Sequence, residues 1–340
     1  MGAGRLGDER SYSVGKPESE FATGYGTFKV RRMLLVTGAS GLLGANLMLA
    51  ASRSGYEAAG ITYRHTLRIP GVTVLSADLT DEAATRKLIS ELKPTTIIHC
   101  AAATNVDWCE DHPQAAEKIN VDASRWLAEL ACQLKAQFVY ISTDSVFDGE
   151  RSDYCEEDEP APVNWYAQSK LLGERAVLGS NPAALVARVN IYGWNVQSKL
   201  SLAEWILDRL RAGDVVPGFT DVFFSPILVN DLSEQLVAMV RQKLTGIYHV
   251  TGSERVSKYE FARRTAVLFG FDPKQVRATQ LSQAGLRARR PLDISLNTQK
   301  ISTALGYPMA NVDAGLRRFR DLQDSGYVDK IKSYLGDNAQ

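Results

Sequence analysis

Three glycines that follow a short apolar strand constrain the fold of this 340-residue chain more than any other feature. Residues 33–36 are apolar, and Gly38, Gly41 and Gly44 come next, spaced three apart, before a segment with helical spacing. Gly38 allows a tight turn, Gly41 lets backbone approach phosphates, and Gly44 lets a helix pack onto the sheet. The free N–H groups of that helix face an anion. The pattern predicts a dinucleotide site; a glycine turn selected only for packing is the alternative.

Strands and helices alternate along residues 33–192. Apolar runs predict strands at 58–62, 72–76, 96–100, 138–143 and 185–189. Helical patterns lie at 45–54, 81–92, 115–134 and from about 165. Continuous apolar strands between helices predict an α/β fold, a doubly wound (Rossmann) parallel sheet that holds the cofactor and the catalytic residues.

The pattern changes near residue 193, where helices at 201–211, 231–242 and 259–269 surround a short strand at 246–250. We expect residues 193–330 to form a smaller C-terminal substrate-binding portion, with the chain able to cross back into the sheet. Residues 1–32 are rich in Gly, Ser and Glu and are predicted to be a disordered extension. Residues 331–340 are predicted to be a tail.

The charge balance argues against several classes of partner. Lys+Arg and Asp+Glu both number 39, so no overall field favours nucleic acid or an anionic membrane. No run approaches the length of a membrane span, and the N-terminal residues lack the apolar core of a signal peptide. The four cysteines show no paired metal spacing. We therefore expect a cytoplasmic protein with reduced thiols and no metal, nucleic-acid or membrane partner.

Tyr166 and Lys170 are the first candidate catalytic pair. Residues four apart share one helix face, so a phenol and an ammonium can converge on one ligand. The ammonium favours the phenolate and so lowers the pKa of the tyrosine, which suits a proton donor or acceptor for a carbonyl or hydroxyl. The same spacing occurs twice in residues 1–32, but only Tyr166 follows a buried strand in the sheet region.

Hydroxyl side chains end the strand that precedes this pair. Ser142 and Thr143 lie at its carboxyl end, where a hydroxyl can hydrogen-bond the substrate oxygen that Tyr166 protonates. Small polar residues that cap a strand are the alternative. With Tyr166 and Lys170 downstream, the catalytic interpretation is favoured.

Arg64 indicates which cofactor is preferred. An acidic residue at the end of the second strand would bind a ribose diol and favour NAD. Arg64 stands there instead, and its planar fork can pair with a 2′-phosphate, although a solvated surface arginine is the alternative. Asp78 and Leu79 suit an adenine contact, or Asp78 starts a turn before Thr80. NADP(H) is therefore the preferred cofactor, with NAD(H) possible.

Together these motifs resemble the extended short-chain dehydrogenase/reductase family, in particular the dTDP-4-dehydrorhamnose reductases and their sugar-nucleotide-binding relatives. The resemblance spans about residues 33–322. Four stretches carry it: TGASGLLG from Thr37, AAATNVDWCE from Ala101, ISTDSVFDG from Ile141 and RPLDISLNTQK from Arg290.

The resemblance implies a role for each matching residue. Tyr166 would protonate the substrate oxygen, and Lys170 would lower the pKa of Tyr166 and hold the nicotinamide ribose. Thr143 would be the hydroxyl partner. Asp144, Ile191 and Arg290 would bind substrate, with Arg290 in a basic patch that can face a nucleotide-sugar diphosphate. The implied cofactor-binding residues are Gly38, Ser40, Gly41, Leu42, Leu43, Gly44, Arg64, Asp78, Leu79, Ala101, Ala102, Ala103, Thr104, Tyr166 and Lys170. Asn120 would support the active site, unless it is a helix-surface residue.

Two departures from the family pattern leave the exact sugar open, more than the reaction type. These reductases usually carry tyrosine where Ser145 stands and a tryptophan where Ile191 stands. The residues of this chain at those two positions are more typical of epimerases and dehydratases. The resemblance implies an NADPH-dependent reductase of a 4-keto nucleotide sugar, possible as a homodimer. The alternatives are an NAD(P)-dependent nucleotide-sugar epimerase or dehydratase, and a non-catalytic NADP-binding subunit like the regulatory subunit of methionine adenosyltransferase.

Overall fold

The computed structural model describes residues 32–336, so the predictions for residues 1–31 and 337–340 lie outside the described residues. The strands are β1 (Met33–Thr37), β2 (Glu57–Thr62), β3 (Thr73–Ser76), β4 (Thr96–His99), β5 (Gln137–Thr143), β6 (Leu185–Val189), β7 (Ile191–Tyr192), β8 (Val216–Phe219), β9 (Phe223–Phe224), β10 (Ile227–Leu228), β11 (Gly246–His249), β12 (Val256–Ser257) and β13 (Val276–Thr279). The α-helices are α1 (Leu42–Arg53), α2 (Glu82–Leu92), α3 (Val106–Asp111), α4 (Pro113–Glu117), α5 (Ala123–Gln133), α6 (Trp165–Ser180), α7 (Leu202–Arg211), α8 (Val229–Arg241), α9 (Lys258–Leu268), α10 (Gln299–Leu305), α11 (Val312–Asp324) and α12 (Tyr327–Lys332).

Seven of the strands form one sheet in the order β11-β6-β5-β4-β1-β2-β3, and every neighbouring pair is parallel. The strand order reverses between β1 and β4, and doubly wound sheets bind ligands in the crevice at that point, outside the carboxyl ends of the strands. The predicted α/β doubly wound fold is confirmed. The sheet therefore places the segments after β1, β2, β4 and β5 around one crevice.

The inner strands are buried because helices cover both faces of the sheet. All five residues of β1 and all five of β6 are buried, which explains their uninterrupted apolar runs. Asn164 begins α6, where its side chain accepts a hydrogen bond from the backbone N–H of Ala167. That cap fixes the start of the helix that carries the predicted catalytic pair.

The predicted helix over 115–134 is interrupted. It consists of α4, a π-helical turn over Lys118–Asp122, and α5. A π turn inserts one extra residue into a helix, so the 3.6-residue period that predicts helices does not reveal it. The turn buries Asn120 completely.

The C-terminal portion crosses back into the sheet, as the sequence allowed, because β11 pairs with β6. Ile331 is fully buried, and Leu335 forms an isolated antiparallel bridge with Leu67. The structure thus places Ile331 and Leu335, which lie in the predicted tail, in contact with other described residues. Among residues 32–336 no helix is long and apolar enough to cross a membrane.

Candidate active site

A cavity of about 870 Å³ lies at the carboxyl ends of β1, β2, β4 and β5. The structure brings all the predicted site residues except Arg290 to its walls. These are Gly38, Ser40, Gly41, Leu42, Leu43, Gly44, Arg64, Asp78, Leu79, Ala101, Ala102, Ala103, Thr104, Thr143, Asp144, Tyr166, Lys170 and Ile191.

The glycine turn has no room for side chains. Gly38 has a positive φ of 63°, and a Cβ there would lie 2.7 Å from the backbone N of Ala101. A Cβ on Gly44 would collide with the carbonyl oxygen of Gly38. Gly41 precedes α1 without a side-chain cap, so the first-turn N–H groups of α1 have no capping side chain. This cradle of bare backbone fits a diphosphate group.

The far end of the cavity holds Arg64. Its guanidinium is exposed and lies 5.3 Å from the centre of the Tyr63 ring. The Nδ1 atom of His65 is buried in the same wall and has no hydrogen-bond partner among residues 32–336. An unpartnered buried nitrogen beside an exposed guanidinium fits an anionic ligand that is bound there. Sequence reasoning missed His65, although it directly follows Arg64.

Asp78 starts a turn at the wall of the cavity. One carboxylate oxygen accepts hydrogen bonds from the backbone N–H and the hydroxyl of Thr80, at 2.9 and 2.7 Å. The hydroxyl bond of Thr80 is the main reason that the pKa of Asp78 is lowered. Asp78 thus starts a turn, and it still lines the cavity beside Leu79.

Tyr166 and Thr143 both line the cavity at the carboxyl end of β5. Burial raises the pKa of Tyr166 to about 12 and outweighs the hydroxyl of Thr143, which acts to lower that pKa. The expectation that the tyrosine pKa is lowered is therefore wrong for the structure as it stands. At neutral pH the phenol carries its proton.

Lys170 lies one turn further along α6 and is buried. Its Nζ donates a 2.7 Å hydrogen bond to the carbonyl of Ile141 and lies 4.0 Å from the centre of the Tyr140 ring. Burial lowers the pKa of Lys170 to about 7, although the carboxylate of Glu174 acts to raise it. The ammonium is thus fixed beneath the strand end that carries Thr143.

Asp144 is a buried carboxylate with three donors. It is 2% exposed and accepts hydrogen bonds from Thr143 at 3.1 Å, from Ser145 at 3.3 Å, and from the amide of Asn190. Burial raises the pKa of Asp144 to about 6, and the nearby charge of Lys258 acts against that rise. Ser145, one of the departures from the family pattern, therefore has a role as a donor to Asp144.

Neither Asn190 nor Lys258 was among the predicted site residues. The signal for Asn190 was available, because it directly follows β6 and the carboxyl ends of neighbouring parallel strands lie together. Lys258 begins α9, far along the chain, and no local motif marks it. Its Nζ lies 3.5 Å from the centre of the Phe224 ring.

Asn120 joins the segment that follows β4 to α6. Its side chain accepts from the N–H of Ala103 at 2.8 Å, donates to the carbonyl of Ala103 at 3.1 Å, and donates to the hydroxyl of Ser169 at 2.9 Å. Ser169 in turn donates to the carbonyl of Tyr166. Asn120 is therefore not a helix-surface residue, and the π turn is what directs it inward.

A buried ion pair lies behind the site. Arg188 and Glu174 are each 2% exposed and make two hydrogen bonds, at 3.0 and 2.8 Å. The hydroxyl of Ser142, the residue before Thr143, also donates to Glu174. His249 contacts Arg188 at 3.4 Å on the other side. This cluster ties the end of β5 to α6 and β6, and sequence reasoning did not find it.

The basic patch expected near Arg290 is largely neutralised. Arg290 pairs with Asp107 at 3.2 Å, and Arg287 makes a bidentate pair with Asp111 at 2.7 and 3.1 Å. Asp107 and Asp111 both belong to α3. These pairs attach the segment around Arg290 to α3, outside the cavity.

Comparisons with known proteins agree with this fold. The RmlD substrate binding domain family matches residues 32–324. The probable low-salt glycan biosynthesis reductase Agl14 of Haloferax volcanii is 31% identical over 275 residues, which are 80% of this chain and 91% of that protein. The methionine adenosyltransferase 2 subunit beta of Pongo abelii is 34% identical over 281 residues, 80% of this chain and 82% of that protein.

Solved structures give the same result. A hypothetical dTDP-4-dehydrorhamnose reductase from Sulfolobus tokodaii is 33% identical with a TM-score of 0.74, covering 83% of this chain and 98% of that one. The dTDP-4-dehydrorhamnose reductase from Bacillus anthracis, solved in complex with NADP, is 26% identical with a TM-score of 0.76, covering 86% and 99%. The resemblance stated from the motifs is confirmed, and this chain belongs to the RmlD substrate binding domain family.

Proposed function

We propose that the protein is an NADPH-dependent reductase of a 4-keto nucleotide sugar. The observation that carries the proposal is that Thr143, Tyr166 and Lys170 line the same cavity as the glycine turn and Arg64. The NADP complex of the Bacillus anthracis reductase and the reductase named in Haloferax volcanii support it. In this proposal residues 33–192 supply most of the NADP(H) site, which can also take NAD(H), and residues 193–330 mainly bind the sugar nucleotide.

Each side chain then has a distinct task. A reduced nicotinamide, when bound, supplies the hydride. Tyr166 gives its proton to the substrate oxygen, and the raised pKa keeps that proton in place at neutral pH. Thr143 hydrogen-bonds the same oxygen, and Lys170 holds the ribose next to it. Asp144, fixed by Asn190 and Ser145, faces the substrate.

Replacing the phenol tests this proposal. General acid help is worth roughly 10²–10⁴-fold, so Tyr166→Phe should lose most NADPH oxidation with a panel of 4-keto nucleotide sugars. Binding of NADPH, followed by its fluorescence, should stay nearly unchanged. Tyr307→Phe is a matched control, because Tyr307 is 44% exposed and its hydroxyl contacts Gln235. Full turnover by Tyr166→Phe would refute the mechanism.

One alternative has an observation in its favour. The beta subunits of methionine adenosyltransferase 2 are 32–34% identical to this chain, so a non-catalytic NADP-binding subunit is the second candidate. The presence of Thr143, Tyr166 and Lys170 together supports the enzyme instead. A stoichiometric complex with a methionine adenosyltransferase catalytic subunit, with no activity on any sugar nucleotide, would decide for the second candidate. Tightly held oxidised cofactor with no net NADPH use would indicate an epimerase or dehydratase.

A further inference from the structure

Residues 195–201, which we call the cleft segment, cross the cavity beside the glycine turn. The Nε2 atom of Gln197 donates a 2.6 Å hydrogen bond to the carbonyl oxygen of Ser40. Members of the cleft segment line the same cavity as the glycine turn; they are Asn195, Gln197, Lys199, Leu200 and Ser201. The chain that follows β7 therefore builds part of the cavity wall in contact with the glycine turn.

The cleft segment is held in one shape by its own hydrogen bonds. The side chain of Asn195 donates to the carbonyl of Lys199 at 2.6 Å and accepts from the N–H of Gln197 at 3.2 Å. The buried carboxylate of Glu204 accepts from the N–H groups of Asn195 and Ser201, at 3.0 and 2.9 Å. Such a braced loop can hold a side chain near a ligand with little loss of entropy.

The charges of the cavity show what the cleft segment adds. The turn from Gly38 to Gly44 offers N–H groups but contains no Lys or Arg, while a dinucleotide pyrophosphate carries two negative charges. Besides His65, three basic side chains of the described chain line the cavity: Arg64, Lys170 and Lys199. Arg64 lies at the far end, and the ammonium of Lys170 donates to Ile141. Lys199 is exposed and has no carboxylate partner among residues 32–336.

We propose that the cleft segment is the second half of the pyrophosphate site, a deepening that rests on the proposed function. Gln197 holds the segment against the glycine turn, and the Lys199 ammonium binds the cofactor's pyrophosphate from the side opposite α1. Backbone N–H groups on one side and a lysine on the other enclose the diphosphate. A charge-assisted contact of this kind needs no rigid fork, which suits a lysine on an exposed loop.

Ligands with and without a pyrophosphate test the inference. Lys199→Gln should weaken NADPH binding about tenfold, equivalent to 1.4 kcal/mol, and leave the Kd of adenosine 2′-monophosphate unchanged. Lys199→Arg should retain most of the NADPH affinity. Lys243→Gln is the matched control, since Lys243 is exposed and lies outside the cavity. Raising the salt concentration should weaken NADPH binding less in Lys199→Gln than in the wild type.

Three results would overturn the inference. Unchanged NADPH affinity in Lys199→Gln would remove the lysine from the site. An equal loss for NADPH and adenosine 2′-monophosphate would show a general effect on the fold instead of a pyrophosphate contact. Wild-type protein that binds neither NADPH nor NADH would refute the proposed function itself, and the inference with it.

Discussion

Breaking the buried ion pair of Arg188 and Glu174 should destabilise the protein strongly. Arg188→Met removes a guanidinium that is 2% exposed and that makes two charge-assisted hydrogen bonds to Glu174. Each such bond contributes roughly 1.5–3 kcal/mol. Removing the guanidinium also removes the free-energy cost of burying it, which offsets part of that sum. The carboxylate of Glu174, however, stays buried without its partner. We therefore expect a loss of about 3–5 kcal/mol in the free energy of unfolding.

A double variant separates the energetic contribution of the ion pair from that of side-chain packing. Glu174→Met combined with Arg188→Met leaves no unpaired charge, so it should be more stable than Arg188→Met alone. The assay is urea unfolding at pH 7 followed by circular dichroism. Arg125→Met is the matched control: Arg125 pairs with Glu129 at 2.9 Å, but the two side chains are 41% and 26% exposed. Exposed pairs contribute about 0–1 kcal/mol, so the control should change little.

The ion pair also supports the carboxyl end of β5, where Thr143 lies. Ser142 donates a hydrogen bond to Glu174, and Thr143 directly follows Ser142 in the chain. The single variant Arg188→Met and the double variant should therefore lose turnover even under conditions in which they are folded. A loss below about 1 kcal/mol for Arg188→Met, or losses that simply add in the double variant, would refute the reasoning.

Three further predictions follow from the cavity. Gly44→Ala places a methyl group against the carbonyl of Gly38 and should weaken NADPH binding more than tenfold by fluorescence titration, while Gly179→Ala, which meets open space, should not. Arg64→Ala should raise the Kd of NADPH about 10–100-fold and leave that of NADH nearly unchanged. The pKa of Asp144 is raised from 3.8 to about 6. Burying its carboxyl group therefore takes nothing from the free energy of unfolding below pH 4, and the full loss applies above pH 6. Between pH 4.5 and 7.5 the unfolding free energy of wild type should therefore fall by about 2 kcal/mol relative to Asp144→Asn, as measured by urea unfolding.

The fold and most of the cavity could be predicted because their signals are local. A strand, three spaced glycines and a helix are contiguous, and Tyr166 and Lys170 are one helical turn apart. The parallel sheet then brings these motifs together, since each follows a strand of the same crevice.

The rest of the site depends on partners that are distant in the sequence. Glu174 and Arg188 lie on different elements, and nothing in either local pattern indicates that they pair. The raised pKa of Tyr166 follows from burial, which the Tyr166–Lys170 spacing does not measure. The local sequence around Arg290 predicts a side chain that is free to bind a phosphate, but in the structure Arg290 pairs with Asp107 of α3.

The bridge between Leu67 and Leu335 connects residues 334–336 to the loop that follows Arg64. Two backbone hydrogen bonds flank it, from Arg68 to the carbonyl of Tyr334 at 2.8 Å and from Gly336 to the carbonyl of Thr66 at 3.0 Å. The loop they hold begins two residues after Arg64. We therefore expect that deleting residues 333–336 changes the ratio of the Kd values for NADPH and NADH. Arg64, which would read the 2′-phosphate, lies more than two hundred positions earlier in the sequence.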